Sequence, residues 1–190
     1  MTVGAIILAA GSARRMGAQK LLADLGGLPV IAHVLRSIEA AGLPAPIIAV
    51  PPDGRLMSRG HLVEVADHAL GMGHSLAAAI GAVPDDWQAA IICLGDMPFV
   101  LPQTIAALAA AADADNIVRP MFGDKPGNPL AWGRCFFSEL SALKGDQGGR
   151  AVIARHADRL VALPCGDPGI LNDIDTPADL EKARASWGAA

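Results

Sequence analysis

The sequence predicts a Rossmann-like α/β fold, in which a mainly parallel sheet is covered by helices on both faces. First, residues 3–10 form an uninterrupted apolar run, which is typical of a strand buried on both faces of a parallel sheet. Second, short apolar runs recur at 47–50 and 89–94, and segments with helical periodicity separate such runs. Third, the 190 residues, 52% hydrophobic and 18% charged, suit a single domain over 1–190 with a complete core.

The first long helix is predicted from its ends and its periodicity. A glycine pair at 26–27 marks a turn, and Pro29 is suited to the first helical position. Apolar residues between 30 and 41 share one helical face, and His33 lies off that face. Gly42 fits the C-terminal cap. We therefore expect this helix to pack its apolar face on the sheet, with His33 on another part of its surface.

The remaining elements continue the alternation. We predict strands at 47–50, 62–66, 89–94, 116–119 and 160–164, and helices after 75, at 101–112 and from 177 onward. Ser75 can cap the second helix, and Leu101 is expected to face the core. Residues 119–129 are interpreted as an irregular, mobile loop over the site. Thr176 and Pro177 are suited to the cap and the first position of the last helix.

The composition excludes several classes of function. A net charge of −4, 4% aromatic residues and no tyrosine argue against a nucleic-acid-binding protein. The apolar segments are short and interrupted, so no membrane span is predicted. The start of the chain shows no export signal, which predicts a cytoplasmic protein. Cys93, Cys135 and Cys165 are widely spaced, which disfavours a disulfide framework or a zinc site.

A candidate phosphate-binding loop follows the first strand. Gly11 and Gly17 allow sharp turns that expose backbone N–H groups, and Arg14, Arg15 and Lys20 add positive charge. The spacing fits neither the P-loop nor the dinucleotide-binding fingerprint. The alternative is a surface loop with solvated cations. The coincidence of glycines, cations and the end of a buried strand favours a polyphosphate site.

An acidic residue occupies the corresponding position after the strand at 89–94. Asp96 lies where α/β sheets place their ligands, and its carboxylate is a suitable oxygen ligand for Mg²⁺. The alternative is a helix cap. That role is disfavoured because the next helix begins several residues later, at 101–104.

Residues 8–20 resemble the signature of nucleotidyltransferases that activate a phosphate or a sugar phosphate with an NTP. The chain is most similar to the molybdenum-cofactor nucleotidyltransferases and, within them, to the cytidylyltransferase branch. The likeness continues in the family's order at 71–76, 95–98, 127–129, 145–150 and 173–177. The resemblance implies a fold of the nucleotide-diphospho-sugar transferase type and Mg²⁺ as the cofactor.

The resemblance also implies the site residues. The nucleotide would contact Leu8, Ala9, Ala10, Gly11, Ser12, Arg15, Gly17, Lys20, Gly73, Ser75 and Asp96, of which Lys20, Arg15 and Asp96 would be catalytic. The metal ligands would be Asp96 and Asp175, with Asp173 as the second choice, since alternation places both late acids on one side of the chain. The acceptor would contact Gly127, Asn128, Pro129, Asp146 and Arg150.

Some of these positions have a structural alternative or depart from the family. Ser75 and Asp146 are also suited to capping helices. Asn128 stands where the family usually has a histidine. His74 stands where a small residue is expected, and it is interpreted as an exposed loop histidine.

The expected reaction is an in-line displacement in which an acceptor phosphate attacks the α-phosphorus of an NTP and releases pyrophosphate. Related guanylyltransferases tend to have Gly in place of Ala10 and Asp in place of Gln19, which favours CTP over GTP. The acceptor would be the phosphate of molybdopterin-bound molybdenum. The alternatives are a guanylyltransferase, a transferase for another small phosphate, and a non-catalytic protein that delivers the cofactor to a molybdoenzyme partner.

Overall fold

The computed structural model describes residues 1–10, 19–52, 54, 60–145 and 148–187. Its strands are β1 (Thr2–Leu8), β2 (Asp24–Leu25), β3 (Leu28–Pro29), β4 (Ile47–Val50), β5 (His61–Glu64), β6 (Trp87–Leu94), β7 (Ile117–Phe122), β8 (Lys125–Pro126), β9 (Leu130–Gly133) and β10 (Leu160–Pro164). Its helices are α1 (Gln19–Leu22), α2 (Val30–Ala40), α3 (Met72–Gly81), α4 (Pro102–Ala111), α5 (Phe137–Ser141), α6 (Arg150–Arg155) and α7 (Pro177–Trp187).

The central sheet has the strand order β10-β7-β9-β6-β1-β4-β5 within the described ranges, and β8 pairs with β7. β1 runs parallel to β4 and β6, β4 to β5, and β7 to β10. β9 is antiparallel to both β6 and β7. The predicted, mainly parallel sheet is therefore confirmed. β9 was not predicted, because four consecutive apolar residues have no periodicity that separates a strand from other buried segments.

Helices cover both faces of the sheet. Apolar side chains of α2 and α4, such as Ile31 and Ile105, share one core cluster with Ile7 of β1. Ile6 points to the opposite face and belongs to a second cluster with Leu76 of α3 and Leu140 of α5. Because successive side chains of a strand alternate between faces, β1 contributes to both clusters, and its central residues are fully buried.

The helix predicted to end at Gly42 is confirmed, and His33 is buried although it lies off the apolar face. α2 ends at Ala40, and Gly42 has a φ of +78°, a conformation that glycine adopts readily. His33 is buried, and its Nε2 bonds to the carbonyl oxygen of Leu25 at 2.8 Å. The Trp187 ring of α7 lies 4.2 Å from the imidazole, centroid to centroid. A helix from the far end of the chain covers this histidine, which local periodicity does not indicate.

Three local predictions are wrong. Residues 119–129 are not an irregular loop, because β7 continues to Phe122 and turns at Gly123, which has a φ of +58°, into β8. α3 begins at Met72 with Gly71 at its cap position, so Ser75 lies inside the helix and caps nothing. Leu101 precedes α4 and is 46% exposed.

The last helix begins as predicted. The backbone N–H of Thr176 donates to Asp179 Oδ2, and the N–H of Asp179 donates to Thr176 Oγ1, which together form a capping box. Leu180 and Ala183 are buried where α7 docks. No helix in the described ranges has both the length and the apolar character that crossing a membrane requires.

Candidate functional site

Lys20 and two acidic residues meet at the carboxyl ends of β1 and β6. Lys20 Nζ donates hydrogen bonds to Asp96 Oδ2 at 2.7 Å and to Asp175 Oδ1 at 3.0 Å. The side chains of Lys20 and Asp96 are 10% and 20% exposed, and that of Asp175 is 61% exposed. The structure thus brings together three residues that are separated by up to 155 positions in the sequence.

Backbone hydrogen bonds explain how the two acids reach the same place. The N–H of Gly95 donates to the carbonyl oxygen of Leu8 at 3.1 Å, which continues the pairing of β1 with β6 up to Asp96. The N–H of Ile174 donates to the carbonyl oxygen of Asp96 at 2.9 Å. Residues 173–175 are therefore attached to the chain directly at Asp96.

The charges of this cluster do not cancel. Burial disfavours the charge of the Lys20 ammonium, but the bonds and charges of Asp96 and Asp175 outweigh it and raise the pKa of Lys20. The pKa of Asp173 is also raised, by partial desolvation and by the like charges of Asp175 and Asp96. One ammonium among three carboxylates leaves a formal excess of two negative charges. An added cation would be stabilised there.

The donor set fits a magnesium ion. Asp96 and Asp175 direct oxygens at one ammonium, so their carboxylates converge on a common point. Mg²⁺ prefers oxygen ligands, and it commonly takes one or two carboxylates together with phosphate oxygens and water. In the part of the chain that the structure describes, no group of three or more His, Cys, Asp or Glu residues forms a metal cage. A metal at this place would therefore need ligands from a bound phosphate or from water.

A cleft of about 690 Å³ adjoins the ends of β1 and β6. Leu8, which is predicted to contact the nucleotide, lines it together with Gly127, Asn128 and Arg150, which are predicted to contact the acceptor. Residues predicted from separate motifs thus surround one space. Pro129 is buried and lines a different pocket, between the sheet, α2 and α4. It follows a cis peptide bond after Asn128.

Gly127 also has a packing role that does not depend on a ligand. A Cβ there would lie 2.5 Å from Ile170 Cγ1. Its N–H donates to the carbonyl oxygen of Pro120, and the N–H of Asn128 donates to that of Ile170, each at 3.0 Å. These contacts hold the hairpin of β7 and β8 against the segment that leads to Asp175.

The start of α3 is bonded to the segment before Arg150. The N–H of Gly73 donates to the carbonyl oxygen of Gly145 at 2.9 Å, so this amide already has a partner. The N–H of Gly145 donates to His74 Nδ1 at 3.2 Å, and His74 is half-buried rather than an exposed loop residue. Ser75 is buried, and its hydroxyl has no partner among the described residues.

Hydrogen bonds to neighbouring segments fix the residues that follow β1. The N–H of Ala9 donates to the carbonyl oxygen of Ala49 at 2.9 Å, and Ala10 is buried. His68 Nδ1 donates to the carbonyl oxygen of Ala10 at 3.1 Å. The predicted site residues Gly11, Ser12, Arg15, Gly17 and Asp146, and the additional loop cation Arg14, lie outside the described residues.

Asp167 supports the site and was not identified from the sequence. It is 2% exposed, and its carboxylate accepts bonds from the N–H of Leu101 at 2.9 Å, the hydroxyl of Thr104 at 2.7 Å and the N–H of Gly169 at 2.8 Å. It therefore joins the start of α4 to the turn that leads into residues 173–175. An aspartate before a proline is common in turns, so only its burial reveals this role.

We expect Asp167→Ala to lower the free energy of unfolding by about 3 kcal/mol, because one buried amide, one partly buried amide and a buried hydroxyl lose a charged acceptor. Urea denaturation measures this. Thr104→Val removes one of the bonds and should cost about 1 kcal/mol. Equal stabilities for Asp167→Ala and the unsubstituted protein would refute the anchoring role.

Comparison with known protein families gives a match over most of the chain. The family model described as the MobA-like NTP transferase domain matches residues 5–160. The matched range includes Lys20, Asp96, Gly127, Asn128 and Arg150, and it ends before Asp173 and Asp175.

Among curated proteins, the bifunctional protein GlmU of Alkalilimnicola ehrlichii is 32% identical over 174 residues, which cover 83% of this chain and 33% of GlmU. GlmU of Dinoroseobacter shibae is 35% identical over 146 residues, which cover 70% of this chain and 32% of that protein. The chain thus spans about a third of the length of the curated relatives it matches.

Solved structures share the fold over nearly the whole chain. A nucleotidyl transferase from Methanothermobacter superposes with a TM-score of 0.85 at 20% identity, covering 99% of this chain and 98% of the other. A manganese complex of Rv0371C from Mycobacterium tuberculosis superposes with a TM-score of 0.78 at 24% identity, covering 98% of this chain and 100% of the other. CMP:2-keto-3-deoxy-manno-octonic acid synthetase in complex with CTP superposes with a TM-score of 0.74 at 19% identity, covering 100% of this chain and 99% of the other. At these identities the likeness establishes the fold.

Proposed function

The chain belongs to the MobA-like NTP transferase family, and on that premise we propose that it transfers a nucleoside monophosphate from an NTP to a phosphate acceptor. Pyrophosphate is the second product. The observation that carries the proposal is the position of Lys20, held between Asp96 and Asp175 beside a cleft at the carboxyl ends of β1 and β6. Open α/β sheets bind their ligands at this edge.

The reaction needs no nucleophile from the protein. An oxygen of the acceptor phosphate forms a bond to the α-phosphorus, and the bond to the β-phosphate oxygen breaks as pyrophosphate leaves. Lys20, together with Arg15, binds the β- and γ-phosphates and stabilises the charge that develops on the leaving group. The protein otherwise aligns the two reactants so that the attack is in line.

Asp96 and Asp175 would hold a divalent cation, with Mg²⁺ as the proposed ion. When bound, the ion supplies Lewis-acid stabilisation of charge on the phosphate oxygens. The excess negative charge around Lys20 supports this assignment. A protein of the same fold has been solved with manganese.

We propose CTP as the nucleotide and the phosphate of molybdopterin-bound molybdenum as the acceptor, which would yield a cytosine dinucleotide cofactor. Ala10 is buried at the end of β1, where its methyl group would reduce the space for a purine. A structure with this fold contains CTP. The sequence signature described above supports the molybdenum cofactor as acceptor.

A panel of the four NTPs with purified acceptor tests this proposal. We expect CTP to give pyrophosphate at least about tenfold faster than GTP at a saturating acceptor concentration, because one crowding contact of this kind is worth roughly 1–3 kcal/mol. Pyrophosphate release and the mass of the product are the measurements. Equal turnover of CTP and GTP would refute the base preference, and no turnover with any NTP would favour a delivery protein.

A further inference from the structure

Two arginines line the cleft, and the sequence assigned a role to only one of them. Arg119 lies in β7, and Arg150 is the first residue of α6. Neither guanidinium forms an ion pair with a carboxylate in the part of the chain that the structure describes. The cleft therefore contains two cations without an anionic partner from those residues.

Arg119 is directed into the cleft by the alternation of its strand. Val118 belongs to the core cluster on the α2 and α4 face, and Ile117 belongs to the cluster on the opposite face. Arg119 shares the face of Ile117. Its Nε is buried and has no hydrogen-bond partner among the described residues. An unpaired, desolvated donor on a cation is costly, so a bound acceptor atom would stabilise it strongly.

Arg150 reaches the same space because a glycine, Gly149, precedes it. A Cβ on Gly149 would clash with the ring of Trp132, so only glycine allows the backbone to approach the cleft wall so closely. Desolvation lowers the pKa of Arg119, and the positive charge of Arg150 lowers it further. The two guanidinium groups therefore repel each other across the cleft.

We propose that Arg119 joins Arg150 in binding the phosphate group of the acceptor. A phosphate dianion neutralises both cations, and its several oxygens can accept bonds from two guanidinium groups. A carboxylate carries one charge and would leave one cation uncompensated. Leu130 and Ile153 line the same cleft and give the rest of the acceptor an apolar wall.

The anion site can be tested without the reaction. Inorganic phosphate should raise the melting temperature of the unsubstituted protein in the absence of NTP and metal, since a ligand that binds only the native state stabilises it. We expect Arg119→Gln and Arg150→Gln each to weaken phosphate binding by about tenfold or more. The matched control is Arg155→Gln, because Arg155 lies on the same helix and pairs with Glu139 at the surface. It should bind phosphate as the unsubstituted protein does.

A second comparison locates the phosphate. If Lys20→Met abolishes phosphate binding and both arginine variants retain it, the ion occupies the triphosphate site and the proposal is overturned. Unchanged binding in both arginine variants overturns it as well. Arg150 is exposed, so Arg150→Gln keeps the test decisive if Arg119→Gln does not fold.

The role of the pair in acceptor binding rests on the proposed function and has a kinetic test. Arg119→Gln should raise the KM for the acceptor at least about tenfold and leave the KM for CTP within about twofold. A change in the KM for CTP alone would show that the two arginines bind the nucleotide, and it would overturn the inference. A protein that binds phosphate through these arginines but releases no pyrophosphate would refute the proposed reaction and leave the anion site standing.

Discussion

Asp96→Asn is expected to reduce NTP-dependent pyrophosphate release by about 100-fold or more. The amide keeps the size of the side chain but removes the charge that pairs with Lys20 at 2.7 Å and that would hold the metal. The loss should appear in kcat, since the missing charge acts on groups whose charge develops during the reaction. Pyrophosphate release measured across a range of Mg²⁺ concentrations checks this, and a higher Mg²⁺ requirement should accompany the loss.

The matched control is Asp85→Asn. Asp85 is also an aspartate that pairs with a cation, Arg134 at 3.3 Å, but its side chain is fully exposed. We expect the control to retain full turnover, because exposed ion pairs contribute little to stability and this one lies outside the cleft. Turnover of Asp96→Asn near that of the control would show that the metal assignment is wrong.

Lys20→Met is expected to lower turnover by roughly 100-fold or more, because the variant loses the cation proposed to stabilise the leaving pyrophosphate. It also leaves the carboxylates of Asp96 and Asp175 facing each other without a cation. We therefore expect the metal-free protein to lose about 1–2 kcal/mol of stability, less than for a fully buried pair because Asp175 is exposed. Added Mg²⁺ should restore part of that loss.

Two substitutions define what Lys20 contributes. Lys20→Arg keeps the positive charge but replaces the compact ammonium with a planar guanidinium. If this variant has normal stability but no turnover, the ion pair and the catalytic role are separate contributions of Lys20. Lys182→Met removes an exposed lysine of α7 and should change neither quantity. Full activity of Lys20→Met would contradict the triphosphate assignment.

The fold was predictable where a continuous run of apolar residues indicates burial. The run at 3–10 was long and apolar enough to indicate a doubly buried strand, and α2 shows both its apolar face and its glycine cap. β9 and the burial of His33 were not predictable, because both depend on elements far away in the chain. Tertiary contacts, not local preference, decide such positions.

The candidate site was predictable in its charged centre and not in its surroundings. Lys20 and Asp96 each follow a buried strand, and parallel neighbouring strands end at one edge of a sheet, so their approach follows from the order of elements. Arg119 lies within a strand that is otherwise apolar on that face, and Asp167 lies in a turn that resembles many others. Their roles depend on a cavity and on burial, which a linear pattern does not reveal.

The hydrogen bond from Ile174 to Asp96 has a consequence for when the site can form during synthesis of the chain. A chain that is still leaving the ribosome has the first strands and Lys20 available early, but Asp175 emerges 155 residues after that lysine. The strands up to β6 can pair while later residues are still being translated, whereas the second carboxylate cannot join them until residue 175 is outside the exit tunnel. The proposed divalent-cation site is therefore expected to be completed only after the sheet has begun to form.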